Sequence, residues 1–151
     1  MAFDKQEFLS SILNGRRRRA LPIMTSPGIE LTGAAPREVF QSGELQFRCI
    51  RALAEAVPMD AQVTFMDLSV EAEAFGSGIV FSDYENPTVA APLAGTEEQI
   101  RALRIPAVGS CRTAEVLACA KLCAKELERP TFGGLIGPYS LAGRLADMTE
   151  M

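Results

Sequence analysis

Residues 61–76 read AQVTFMDLSVEAEAFG, and this stretch decides the fold class. Ala61 to Met66 is an apolar run rich in β-formers, which predicts a strand. The run stops at Asp67-Leu68-Ser69. VEAEAFG then reads as a short helix ending at Gly76 and Gly78. A strand that feeds a helix, repeated along a chain, builds a parallel sheet.

Toward the amino terminus, Leu21-Pro22-Ile23-Met24 is a second apolar run and predicts a strand, broken by Thr25-Ser26-Pro27-Gly28. Phe8, Leu9, Ile12 and Leu13 ahead of it form a helical stripe, with Asn14-Gly15 as its stop. Pro36 suits the first position of a helix. From there Phe40, Phe47, Ile50, Leu53 and Val57 recur at helical spacing until Pro58.

Toward the carboxyl terminus, Ile79-Val80-Phe81 and Thr88-Val89-Ala90 flank a turn-rich segment and predict a hairpin. Thr96 and Gln99 have capping-box spacing and open a short helix through Leu103. Thr113 to Glu128 is a long helix with Val116, Cys119, Ala120, Cys123 and Leu127 on one face. Thr131 to Ile136 predicts a further strand, Gly137-Pro138 a turn, and Leu141, Leu145 and Met148 a last helical stripe.

The expected fold is therefore α/β, with about three parallel strands and a hairpin insertion in one domain spanning residues 1–151. Met148 to Met151 has no Gly, Asn or Pro stop and no strand after it. Three parallel strands leave hydrophobic edges exposed. Both points predict a chain that stops partway through a larger architecture; the alternative is a docked terminal helix.

Composition narrows the chemistry. The chain has 151 residues, 48% hydrophobic and 23% charged, an ordinary globular balance. Its net charge of −4 argues against a general nucleic-acid binder. Arg16 to Arg19 is the one basic cluster and reads first as a solvated junction between a helix and a strand. With His 0, no Ser-His-Asp triad, Cys-His dyad or His-containing zinc site can form from these residues. No run approaches the roughly 18 apolar residues of a membrane span. The charged amino-terminal stretch does not resemble a signal peptide, so a cytoplasmic location is expected. The four cysteines, Cys49, Cys111, Cys119 and Cys123, are then expected as reduced thiols. Cys119 and Cys123 are spaced i, i+4 but lie on an apolar stripe, where reduced cysteine packs as a small hydrophobe. No metal site is expected from these residues, and no glycine-rich phosphate loop is present.

In parallel α/β folds ligands sit at the carboxyl ends of strands. That rule selects Thr25 and Ser26, then Asp67, Ser69 and Glu71, then Tyr139. Asp67 stands at the mouth of its strand. It reads either as a catalytic acid/base or substrate anchor, or as a cap for the helix that follows. Glu71 and Glu73 are two apart and point to different sides of a helix, so at least one reads as solvated charge. Thr25 and Ser26 are pocket candidates that turn chemistry explains equally well. Tyr139 either donates a hydrogen bond into a pocket or packs at the mouth.

NGRRRRALPIM, MDLSVEAEAFG and LIGPYSLAGRL together resemble the amino-terminal half of the uroporphyrinogen decarboxylase superfamily. The closer likeness is to its corrinoid-dependent, methylcobamide:coenzyme M type methyltransferases. The resemblance implies the amino-terminal part of a (β/α)₈ TIM barrel, a fold of about 250 residues, left incomplete in this chain. It places the hairpin over the barrel mouth and puts Asp67 where the decarboxylases carry their aspartate. Two departures weigh against decarboxylation. The stretch Met24 to Gly28 lacks the arginine that clamps substrate carboxylates, and the decarboxylase tyrosine falls near Arg144 instead of on Tyr139.

The methyltransferase branch implies a corrinoid protein and a small thiol as partners, and zinc to activate the thiol. The zinc ligands of that branch, a His-x-Cys pair and a distant Cys, lie in the half not represented here. Asp67 and Glu71 would then line one wall of the corrinoid and thiol pocket. Three functions remain open on the sequence: part of a methyltransferase that is inactive by itself, a porphyrinogen decarboxylase, or a short non-catalytic paralogue that forms a homo-oligomer through its sheet edges.

Overall fold

The computed structural model describes residues 3–146. Of the last helical stripe, Leu141 and Leu145 are described, while Met148 and the chain end at Met151 lie outside the described residues.

Asp4 begins the first helix, α1 (Lys5–Leu13), by accepting hydrogen bonds from the Gln6 and Glu7 amides at 2.8 and 3.0 Å. The helix ends at Asn14 as its sequence predicts. It buries no residue fully, and its Phe8 ring lies 5.9 Å from Phe132.

Residues 21–24 join no ladder, which corrects the expectation of about three parallel strands. The segment is fastened only at its root. The Asp60 amide donates to the Ala20 carbonyl at 3.0 Å, and the Ala20 amide donates to Asp60 Oδ2 at 2.9 Å. Beyond that point Ile23 is 71% exposed, because no neighbouring strand covers it. The expected break at Thr25–Gly28 is also corrected: it opens helix α2 (Ser26–Thr32), with Pro27 in the first turn, where its missing N–H costs nothing.

The periodic pattern from Pro36 to Val57 is two helices, α3 (Pro36–Val39) and α4 (Gly43–Ala56). The interruption has a local cause. Ser42 is extended and its hydroxyl accepts the Leu45 amide at 3.3 Å, so it caps a new helix. Gly43 then brings the start of α4 against a later helix.

Strand β1 (Gln62–Val63) is followed by α5 (Val70–Ala74). The hairpin β2 (Ile79–Val80) and β3 (Thr88–Val89) is antiparallel, as its turn signals predict. Helix α6 (Glu97–Ala102) carries the capping box of Thr96 and Gln99. Helix α7 (Thr113–Glu126) leads to β4 (Thr131–Phe132), and α8 (Pro138–Leu145) follows. Strands β1 and β4 pair in parallel, Gln62 opposite Thr131, so the chain contains a βαβ crossover through α7. The ladder is shorter than the two apolar runs. Past Thr64 the backbones are joined by a side chain instead, Thr64 Oγ1 accepting the Gly134 amide at 2.8 Å.

The core lies where α2, α4 and α7 meet the end of β1. Val39, Phe40, Phe47, Cys49, Ile50, Phe65, Cys119 and Cys123 are buried together. Phe40 meets Phe65 edge to face with centroids 5.8 Å apart. Cys119 and Cys123 are buried in this core, as their apolar stripe implies, and Cys49 joins them. Burial raises the Cys49 thiol pKa, and the neighbouring Cys123 thiol together with burial raises that of Cys119. Two glycines set the helix crossings. A Cβ on Gly28 would stand 2.4 Å from the Cys49 carbonyl oxygen, and one on Gly43 would stand 2.3 Å from that of Glu115. The Gly43 amide also donates to Glu115 Oε2 at 2.7 Å.

Two stability predictions follow from these contacts. Gly43→Ala forces α4 and α7 apart and lowers stability by about 1–3 kcal/mol, measured as a shift in urea midpoint. Asp60 has a lowered pKa, chiefly from the Ala20 amide and then from Arg19 and Arg17. A lowered folded-state value gives stability that is present above the unfolded carboxylate pKa of about 3.9 and is lost as pH falls through the folded value. Thermal melts of Asp60→Asn should therefore lie below those of the parent at neutral pH and converge with them in acid.

Candidate functional site

The carboxyl ends of β1 and β4 place two loops side by side, residues 64–69 and 133–137. Asp67 lies in the first loop. Its Oδ1 accepts the Ser69 amide at 2.8 Å and the Ser69 hydroxyl at 2.6 Å, a turn closed by the carboxylate. The helix position it was expected to cap belongs to Ser69, and Asp67 secures that residue. Asp67 Oδ2 accepts from Arg112 Nη1.

Arg112 organises the site, and sequence reasoning missed it. Its side chain is only 8% exposed, against 4% for Asp67. Nε donates to Glu73 Oε2 at 2.6 Å, Nη2 to Ser69 Oγ at 2.9 Å, and Nη1 also reaches the Phe40 carbonyl at 3.3 Å. The guanidinium carbon lies 4.9 Å from the centre of the Phe81 ring. One side chain thus ties α3, the Asp67 loop, α5 and the hairpin to the head of α7. A sequence signal did exist: Arg112 stands four residues before Val116, on the stripe that continues through Cys119 and Cys123. An arginine on a buried stripe requires a buried acid. The chain turns into this position through Gly109 (φ 84°) and Cys111 (φ 50°).

Glu73, half-buried, is therefore an ion-pair partner and not the solvated charge its spacing allowed. Glu71 points the other way. Its Oε1 accepts the Ile136 amide at 3.1 Å, tying α5 to the loop after β4. Its Oε2 is buried and has no hydrogen-bond partner among the described residues. Asp67 and Glu71 line one cavity of about 20 Å³ with Phe65, Met66, Val70, Val116, Gly134 and Leu135. That volume suits a single water-sized group.

The structure thus gathers Asp67, Ser69 and Glu71 and adds Glu73 and Arg112. It leaves Thr25, Ser26 and Tyr139 apart. Thr25 and Ser26 begin α2 and make no side-chain hydrogen bond to this cluster. Tyr139 is 77% exposed on the first turn of α8. Chemically, the gathered wall offers acceptors. Three of the roughly four acceptor directions of the Asp67 carboxylate are taken, and Glu71 keeps one whole oxygen. Every guanidinium nitrogen of Arg112 is already bonded to protein oxygens. As for metals, Cys49, Cys119 and Cys123 are buried between helices and Cys111 is exposed. No group of three or more His, Cys, Asp or Glu among the described residues is placed to hold an ion.

A βαβ unit with its polar cluster at the strand mouths defines an α/β protein with a parallel ladder. Residues 17–151 match the family Uroporphyrinogen decarboxylase (URO-D), and the chain belongs to that family. Among solved structures it shares the fold of a methyltransferase from Methanosarcina mazei, with a TM-score of 0.79 at 20% sequence identity. The match covers 97% of this chain and 46% of that one, so the chain spans less than half of its structural relative. No curated protein matches the chain.

Removing the cation from this cluster leaves two part-buried carboxylates facing one another's field. Arg112→Met should cost about 3–5 kcal/mol in chemical denaturation. A loss below about 1 kcal/mol would show that the network does not hold the site together.

Proposed function

We propose that this chain forms the amino-terminal wall of a methyltransferase barrel that passes a methyl group from a methylcorrinoid protein to a small thiol. The observation that carries the reading is the state of Arg112. Four of the five N–H donors of the buried cation at the strand mouths are taken by Asp67, Glu73, Ser69 and a carbonyl. Asp67 and Glu71 then present acceptor oxygens to the cavity. A wall of this kind suits a ligand that donates hydrogen bonds and repels one rich in carboxylates. The stretch Met24 to Gly28 adds no arginine to offset it. The likeness to a solved methyltransferase supports the same direction.

In this reading Asp67 and Glu71 orient the ligand by accepting its N–H or O–H groups. Arg112 and Ser69 hold Asp67 in place, and the hairpin residue Phe81 shields that ion pair from water. Zinc, which would deprotonate the thiol, has no fitting ligand set among the described residues. The reading assigns the zinc ligands to polypeptide other than residues 1–151. The chain by itself is then inactive and its setting cytoplasmic. Among the described residues no helix is long and apolar enough to cross a membrane.

The test is made on the native protein that carries this sequence in its source cells. Incubated with methylcobalamin and a thiol, it should demethylate the cobalamin, followed by its absorbance change. Asp67→Asn should lower that rate by about 10²-fold or more. Loss of carboxyl groups from a porphyrinogen substrate, with methylcobalamin untouched, would replace this reading with the decarboxylase.

A further inference from the structure

The end of the molecule opposite Asp67 carries charge that the fold does not consume. Asp60 precedes β1 and Arg129 precedes β4, so both lie at the amino ends of the parallel strands. Arg17 and Arg19 converge on a single oxygen of Asp60, Oδ1, the latter at 2.9 Å. The other oxygen holds the Ala20 amide. The carboxylate is largely covered, at 10% exposure, while Arg17 keeps 74% of its side chain in solvent. Asp60 thus sets two guanidinium groups next to each other and leaves their outer N–H donors free.

Arg129 borders the same recess. Its carbonyl is fixed by Gln62 Nε2 at 3.0 Å. Its side chain enters no ion pair among the described residues, and neither do those of Arg16 and Arg18. The recess has a volume of about 370 Å³ and is lined by Arg17, Arg19, Pro58, Met59, Asp60 and Arg129. Three arginines therefore line one recess with a single, already-paired carboxylate, on a chain whose net charge is −4. Concentrating positive charge against the overall balance marks a surface for anions. The adjoining recess is lined by Asp4, Glu7 and Glu128 as well as Arg19 and Arg129. Those acids bound the positive region on one side. An extended polyanion would run into them, whereas a compact one would not.

We infer that this recess binds a compact phosphate-bearing anion, with Arg17, Arg19 and Arg129 as its donors and Asp60 as the group that positions the first two. Guanidinium forks match phosphate oxygens in pairs, which a lone ammonium cannot do. The inference is independent of the methyl-transfer reading, since it concerns the other end of the strands.

Calorimetric titration with inorganic tripolyphosphate at low salt tests it. One saturable site per chain is expected, with a dissociation constant below about 1 mM. Affinity should fall with added salt as the contacts are screened. Arg17→Gln and Arg129→Gln should each weaken binding about fivefold or more. Arg104→Gln, an exposed arginine outside the recess, should leave it unchanged. These are surface positions, so melts matching the parent would confirm that the fold is intact. The inference is overturned by the absence of saturable heat, by equal weakening in Arg104→Gln, or by tighter binding of a short single-stranded RNA than of tripolyphosphate.

Discussion

The arrangement of the upper half of this protein depends on one buried guanidinium. Taking an arginine out of water costs several kcal/mol unless acids and carbonyls replace its hydration. Arg112 meets that cost by drawing Asp67, Glu73, Ser69 and the Phe40 carbonyl to itself. Those partners come from different parts of the chain, so the demand of one side chain fixes the relative placement of α3, the Asp67 loop, α5 and α7. The hairpin is placed by the same group, because its Phe81 ring lies on the guanidinium. A hydrophobic replacement of similar size would satisfy the packing but would leave the Asp67 carboxylate without its cation.

The lower half is organised on the same principle with a weaker hand. Asp60 gathers Arg17, Arg19 and the Ala20 amide, but the arginines remain largely in solvent. High dielectric reduces what such pairs contribute to stability. Their effect is positional: they anchor the start of the 21–24 segment next to β1 without making it a strand. The apolar residues of that segment, Ile23 above all, stay exposed. Exposed apolar side chains also occur on β4 and just after it, at Phe132 and Leu135. The chain spans less than half of its structural relative, and among the described residues no closed barrel forms around β1 and β4.

Much of the element order was legible in the residues. The hairpin, the capping box at Thr96, the long helix from Thr113 and the parallel sense of the sheet all follow from period, turn chemistry, caps and element order. Leu21–Met24 has strand composition, but a strand needs a ladder and this segment has none. Thr25–Gly28 has turn composition, but a proline in the first turn of a helix looks the same in one dimension. The division of α3 from α4 hung on a serine that caps and a glycine that lets another helix approach. The first of these turned on a missing partner distant in sequence, the other two on local proline and cap chemistry that reads more than one way in one dimension.

Of the candidate site, the sequence by itself determined that Asp67, Ser69 and Glu71 would share a strand mouth. A strand followed by a short polar turn fixes that from spacing alone. It also determined that no histidine chemistry is available, and that Cys119 and Cys123 belong to an apolar stripe. Only the tertiary structure decided which charges meet. Arg112 lies 45 residues from Asp67 and 39 from Glu73, and no local pattern links them. It likewise set Thr25, Ser26 and Tyr139 apart from the cluster. Periodicity reports which face of an element is buried. It does not report what is buried against it, because ion pairing is settled by the path of the whole chain.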